Sequence, residues 1–178
     1  MTKQHDGEYE PLPTTVLENT LNRIRKLDES TSGENAQEVA DAIRNIVQDH
    51  AGVFRTSALL DEGVKQILAL EPRVRNIHLK DKSKVFNTAR VEALEVENLY
   101  EVAKATLISA AARKECRGAH TVVDFELPPD HPTYSYGRRD DEWMKHTLWF
   151  STDNRLEYKP VRYKPLTVAA IPPKPRTF

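Results

Sequence analysis

One stretch in the second half of the chain decides how its two parts are built. It reads Arg113-Lys114-Glu115-Cys116-Arg117-Gly118-Ala119-His120-Thr121-Val122-Val123-Asp124. An alanine-rich segment that favours helix precedes it, and β-branched residues that favour extended structure close it. We therefore expect a long helix from Thr88 to about Cys116, a break at Gly118, and then a strand that presents His120 and Asp124.

Three segments before this stretch also show the apolar spacing of helices. A short helix is expected over residues 14–27, capped by one of its first two threonines. A second helix should end near Gly52, and a third should begin at Thr56 or Ser57. The third helix should end or kink at Pro72, because proline lacks a backbone donor and crowds the preceding turn.

The order of these elements predicts a mainly α chain. The second, third and long helices are expected to form an antiparallel three-helix bundle. After Gly118, two short strands over residues 143–150 and 156–158 predict a small antiparallel β appendage, and five prolines from Pro160 onward predict an irregular tail. The expected organisation is a lead-in with a short helix over residues 1–33, the helical bundle over residues 34–117, and the β appendage with its proline-rich tail over residues 118–178.

The composition argues against several classes of function. A formal net charge of -1 provides no basic field for nucleic acid, and no apolar run reaches the roughly 20 residues that a membrane-spanning helix needs. The six glycines include no Gly-x-Gly pair, so the phosphate-binding turn of a dinucleotide fold is missing. One cysteine and six scattered histidines offer no metal-ligand spacing. We therefore expect no catalytic, cofactor-binding or metal-binding residue in this chain.

Five residues of the opening stretch are candidate interface residues, namely Arg113, Arg117, Gly118, His120 and Asp124. Cations favour the C-terminal end of a helix, and guanidinium groups form bidentate bonds with carboxylates across interfaces. His120 and Asp124 also match the His-x-x-x-Asp spacing of some acyltransferases, but Phe125 stands where such sites usually carry glycine. We interpret the five as residues that hold domains together, and not as an acid–base set.

The opening stretch is the most specific of a series of short words that occur in a fixed order. The others are His50-Ala51-Gly52-Val53-Phe54-Arg55, Phe86-Asn87-Thr88, Glu92-Ala93-Leu94-Glu95, Asp140-Asp141-Glu142-Trp143, Lys145-His146-Thr147-Leu148 and Pro172-Pro173-Lys174-Pro175-Arg176-Thr177-Phe178. Together they resemble the C-terminal part of the flavoprotein subunit of succinate dehydrogenase and of its sister enzyme fumarate reductase. The resemblance covers nearly the whole chain from about Glu34 onward.

The resemblance implies that this chain is a structural piece of an enzyme. In that family the flavin-binding and substrate-capping domains come before this region and carry the catalytic and flavin-attachment residues. The piece itself is therefore expected to hold no cofactor, whereas the whole subunit holds FAD. The whole enzyme would oxidise succinate to fumarate and pass electrons through iron–sulfur centres to quinone.

The same resemblance implies the partners. They are the flavin-binding domain of the same subunit and the iron–sulfur subunit, with no nucleic acid and no membrane span in this chain. Through partner subunits the chain would lie in the cytoplasm, at the inner face of the membrane. The alternatives are the corresponding region of fumarate reductase or L-aspartate oxidase, and a free-standing helical adaptor.

Overall fold

The computed structural model describes residue 11, residues 13–128, residue 130 and residues 137–173. The expected lead-in before residue 11 and the tail over residues 174–178 lie outside the described residues. The helices are α1 (Thr14–Glu29), α2 (Ala36–Ala51), α3 (Ser57–Ala69), α4 (Glu71–Val74), α5 (Thr88–Ala112) and α6 (Asp140–Trp143), and the strands are β1 (Lys145–Phe150) and β2 (Arg155–Pro160). The prediction of a mainly helical chain with a small antiparallel sheet is confirmed.

Side-chain caps fix where the three long core helices begin. Asn35 caps α2, Thr56 caps α3 and Asn87 caps α5, each by accepting a hydrogen bond from a backbone N–H in the first turn. Such a cap contributes about 1 kcal/mol to helix stability. Asn87 is itself buried and also donates to the carbonyl oxygens of Asp81 and Ser83. The α5 cap therefore also holds the connection that precedes the helix.

Helices α2, α3 and α5 pack against one another and enclose the core. Ala36 of α2 lies beside Glu92 of α5 in one groove, and Ala51 lies beside Thr106 in the next, so α2 and α5 run in the same direction. The buried side chains that these helices share are Val39, Ala40, Ile43, Ala51, Leu60, Ile67, Ala93, Val96, Tyr100, Ala103, Leu107 and Ala110. As expected, α3 ends before Pro72, which lies in the short turn α4.

Helix α1 contributes little to this core. Its cap is Pro13, so neither threonine caps it as expected, and only Leu27 of the helix is buried. The expected apolar face is wrong in its first half, where Leu17 and Leu21 are exposed. Polar contacts near its C-terminal end hold α1 in place, including an ion pair between Arg23 and Glu97 of α5.

The opening stretch departs from the expected helix and strand. Helix α5 ends at Ala112 rather than near Cys116, because tertiary contacts of the following side chains override their helical propensity. The expected strand over residues 121–125 is a 3-10 turn at Val123–Phe125, preceded by a single parallel bridge between Val122 and Arg55. Without a partner strand along its length, the β-branched run places one side chain, Val122, in the core.

The C-terminal part is a two-stranded antiparallel hairpin. Strands β1 and β2 pair in register from Lys145 opposite Pro160 to Phe150 opposite Arg155. Trp143, expected to begin the first strand, closes the short helix α6 and is buried, with its ring edge-on to Tyr158 at 5.8 Å between centroids. Among the described residues, no helix has the length and apolar character needed to cross a membrane.

Candidate interface site

A fully buried carboxylate organises the stretch that follows α5. Glu115 has a relative exposure of 0%. Its Oε1 atom accepts from Arg113 Nη1 at 2.6 Å and from Arg117 Nε at 2.7 Å, while Oε2 accepts from the backbone N–H of Arg139 at 2.9 Å. A buried charge needs such partners, because an unpaired one costs several kcal/mol. The chain therefore leaves the helical path at Arg113 and folds around Glu115.

Asp140 at the start of α6 extends this network. Its two carboxylate oxygens accept from Arg117 Nη2 at 2.6 Å and from Arg138 Nη2 at 2.8 Å. Burial favours the neutral carboxyl group, but the two arginine hydrogen bonds outweigh it and lower the pKa of Asp140. Arg117 thus bridges two carboxylates of its own chain, and its guanidinium group is committed to internal contacts.

Arg113 fastens the end of α5 to the hairpin. Its Nη2 atom donates to the backbone carbonyl of Lys145 at 2.6 Å, and its Nη1 atom donates to the carbonyl of Trp143 at 3.2 Å. The guanidinium group also lies 5.2 Å from the centroid of the Trp143 ring. Through these contacts Arg113 joins the end of α5 to the start of the C-terminal sheet.

His120 occupies a second cluster, at the corner where α2 meets α3. Its Nδ1 atom lies 3.0 Å from Arg55 Nη1, and its Nε2 atom lies 3.1 Å from the carbonyl oxygen of Arg113. A guanidinium group can only donate and a carbonyl can only accept, so the ring is neutral with its proton on Nε2. Burial, helped by the charges of Arg55 and Arg113, lowers the pKa of His120.

Asp124 lies apart from His120 and serves the N-terminus of α3. Its Oδ2 atom accepts from the backbone N–H of Ser57 at 2.6 Å. This hydrogen bond lowers the pKa of Asp124, and the positive end of the helix dipole favours the same carboxylate. His120 and Asp124 therefore have separate partners and do not form an acid–base pair.

The corner between α2 and α3 carries an exposed apolar surface. Val53 and Phe54, in the connection between α2 and α3, are 76% and 79% exposed, and Val123 beside them is also exposed. The Val123 N–H donates to the Arg55 carbonyl at 2.8 Å, which joins the two segments. We call Val53, Phe54 and Val123 the end patch.

Gly118 lies in an open turn of the same stretch. It has a positive φ of 59°, which fits the expected break in the helix, and a Cβ atom there would meet no atom within 4 Å. Cys116 beside it is buried, and its sulfur exchanges hydrogen bonds of 3.3 Å with the backbone of Val122. Burial raises the pKa of the Cys116 thiol, so the group is a structural one.

The structure divides four of the five predicted residues between two clusters and leaves Gly118 in the open turn between them. Arg113 and Arg117 surround Glu115, whereas His120 and Asp124 hold the corner between α2 and α3. The sequence reasoning did not single out Glu115, although its position between two arginines was a usable signal. It also missed Asp140, which reads as a solvated turn, and Arg55, which no local pattern connects to His120. Among the described residues, no group of three or more His, Cys, Asp or Glu side chains could hold a metal ion.

Comparison with known proteins assigns the chain to a protein family. Residues 40–178 match the family model described as fumarate reductase flavoprotein C-term. The chain therefore belongs to the family of C-terminal domains of succinate dehydrogenase and fumarate reductase flavoprotein subunits.

Individual relatives agree with this assignment. The chain is 38% identical over 176 residues to the succinate dehydrogenase flavoprotein subunit of Rickettsia bellii, and 33% identical over 144 residues to the fumarate reductase flavoprotein subunit of Haemophilus influenzae. Among solved structures, E. coli quinol fumarate reductase FrdA superposes with a TM-score of 0.71 at 28% identity, over 92% of this chain and 27% of that one.

The chain is much shorter than these relatives. The match to the Rickettsia bellii subunit includes 96% of this chain but only 28% of the relative, and the Haemophilus influenzae match includes 79% and 22%. The flavoprotein subunits of this family carry FAD as whole proteins, and this C-terminal domain is the part that the chain represents.

Proposed function

We propose that this chain is the C-terminal structural domain of a succinate dehydrogenase flavoprotein subunit. The whole enzyme would oxidise succinate to fumarate with FAD and pass the electrons through iron–sulfur centres to quinone. In this role α2, α3 and α5 act as an antiparallel three-helix bundle that supports the flavin-binding domain. The small sheet and the irregular proline-rich tail form the appendage over residues 118–178, after the lead-in (1–33) and the bundle (34–117).

The observation that carries the proposal is the position of the end patch. Its three exposed apolar side chains adjoin the turn with Gly118, His120 and Asp124, which the sequence marked as interface residues. Apolar surface of this kind beside polar groups is typical of a contact with another protein surface. The open space over Gly118 leaves room for a partner backbone to come close.

The proposal also assigns the surroundings of the domain. The iron–sulfur subunit is the second partner, and the complex would lie in the cytoplasm against the inner face of the membrane. Fumarate reductase remains the alternative, because both enzymes appear among the relatives. The corresponding region of L-aspartate oxidase is a further alternative.

A pair of matched substitutions tests the role of the end patch. Phe54→Ser in the full-length subunit is expected to lower the flavin content after purification, because it removes apolar contact area from the interface. Phe86→Ser is the control, since Phe86 is 98% exposed and precedes α5 at the opposite end of the bundle. Normal flavin content in Phe54→Ser, or an equal loss in Phe86→Ser, would contradict the assigned interface.

The isolated chain gives an independent test of whether this domain lacks the flavin site and the catalytic residues. Without the flavin-binding domain it is expected to bind no FAD and to oxidise no succinate with an artificial electron acceptor, because its sequence lacks the glycine-rich phosphate-binding turn. Saturable FAD binding, or malonate-sensitive turnover above a buffer control, would overturn the assignment of a purely structural role.

A further inference from the structure

The chain after the hairpin forms an exposed arm without regular secondary structure. Residues 161–173, which we call the arm, contain no helix or strand, and every residue from Arg162 to Pro173 is exposed. The arm is tied to the body at its start, where the Val161 N–H donates to the Met144 carbonyl at 3.2 Å. An extended segment of this length reaches about 40 Å, enough to cross the face of a neighbouring domain.

The arm carries large apolar side chains that the rest of the chain leaves mostly exposed. Leu166 is fully exposed, and Val168 and Ile171 are largely exposed. Leu166 and Val168 lie in a bend of the arm at residues 166–168, and Ile171 follows three residues later. Large apolar side chains displayed in series on a segment without regular structure are typical of a segment that docks on another surface.

The charge of the arm defines the surface that fits it. The arm carries two basic side chains, Arg162 and Lys164, the five residues after it add Lys174 and Arg176, and residues 161–178 contain no Asp or Glu. The whole chain has a formal net charge of -1, so the residues before the arm are net negative. A basic segment with apolar side chains is complementary to an acidic surface that contains an apolar trough.

We propose that the arm docks in extended form on an acidic, apolar-lined surface of the part of the flavoprotein subunit that precedes this domain. The proposal rests on the proposed function. The family match runs to residue 178, so the arm is part of the family pattern and not an appendix to it. The surface would belong to the part of the subunit that precedes this domain, since the match to this chain covers only 28% of the Rickettsia bellii subunit.

Hydrogen exchange read by mass spectrometry tests the proposal. In the 178-residue chain, the amides from Leu166 to Ile171 are expected to exchange nearly as fast as in an unstructured peptide. In the full-length subunit without its iron–sulfur partner, they should exchange at least roughly tenfold more slowly. Raising the salt concentration should restore part of the fast exchange, because the contact includes basic side chains.

Variants of the arm separate docking from general stability. The triple substitution Leu166→Ser, Val168→Ser and Ile171→Ser should restore fast exchange in the full-length subunit. The matched control, Thr167→Ser with Ala169→Ser, should keep the slow exchange. Fast exchange in the unsubstituted full-length subunit overturns the proposal. Slow exchange that begins only when the iron–sulfur subunit binds also overturns it, since the arm would then dock on that partner.

Flavin content measured on the same samples distinguishes this proposal from the proposed function. A full-length subunit that holds flavin but leaves the arm unprotected rejects the arm contact alone. A full-length subunit that folds and holds no flavin rejects the proposed function.

Discussion

Arg117 forms a bidentate ion pair with Glu115, although the residues are only two positions apart. Nε donates to Oε1 at 2.7 Å and Nη2 donates to Oε2 at 3.1 Å. This fork-to-fork arrangement is the strongest that arginine makes with a carboxylate. Because Glu115 is completely buried, the pair sets the path of the chain between the helices and the hairpin.

The first prediction concerns Glu115. We expect Glu115→Gln to lower the free energy of unfolding of the chain by about 3–5 kcal/mol, because the arginines around it lose their buried counter-charge. Urea unfolding followed by circular dichroism measures the change. Glu142→Gln is the control, since Glu142 pairs with Arg139 at 3.5 Å on the exposed side of α6 and should change stability by less than about 1 kcal/mol. Equal losses in both variants would show that Glu115 has no special role.

The second prediction concerns Arg117. The sequence alone favours a surface cation whose removal leaves the isolated domain nearly as stable, but the side chain is only 28% exposed and holds two carboxylates. We now expect Arg117→Ala to cost about 1.5–3 kcal/mol in the unfolding free energy of the isolated chain. Arg117→Lys should recover little of the lost unfolding free energy, because an ammonium group cannot form the bidentate contact with Glu115. If Arg117→Ala leaves the unfolding free energy of the isolated chain unchanged but lowers the flavin content of the full-length subunit, Arg117 acts at an interface between domains.

The third prediction is a dependence of stability on pH. The folded state lowers the pKa of His120, so the unfolded chain, with a histidine pKa of about 6.5, binds the proton more readily. The contribution of His120 is therefore complete above that unfolded value and is lost as the pH falls below it. Unfolding free energies measured between about pH 5 and pH 7.5 should decline toward acid, and His120→Gln should flatten this decline.

The fourth prediction compares two glycines that both have positive φ angles. Gly118 has open space around it, so Gly118→Ala is expected to cost only the strain of the backbone, about 1 kcal/mol. At Gly137 a Cβ atom would lie 2.3 Å from the Phe125 carbonyl oxygen, so Gly137→Ala should cost about 3 kcal/mol or more. Thermal unfolding of the two variants measures the difference, and a Gly118 variant as unstable as the Gly137 variant would contradict the open environment of that turn.

The helices were predictable where local signals and packing agree. Asn35, Thr56 and Pro72 are local signals, and each acts at the boundary that its chemistry favours. The end of α5 was not predictable in this way, because residues 113–116 have helical propensity but follow the burial of Glu115 instead. The strand expected at Val122 failed for a similar reason, since β-branched residues favour any extended or buried position and do not specify a partner strand.

The candidate site was predictable as a region and less so as a set of contacts. Arg113, His120 and Asp124 do lie in clusters that join separate segments of the chain. Their partners come from distant parts of the sequence, such as Arg55 for His120. No spacing rule connects residues across that distance, so only the folded chain reveals them.

The cap that Asp124 provides for α3 has a consequence for the order of assembly. The carboxylate and the Ser57 N–H that it accepts from are 67 positions apart. During synthesis at about 5–20 residues per second, α2 and α3 leave the ribosome several seconds before Asp124 does. The start of α3 must first rely on Thr56 alone, and the corner between α2 and α3 becomes complete only after α5 has been made. This corner therefore cannot be completed on a growing chain before the residues up to Asp124 have left the ribosome.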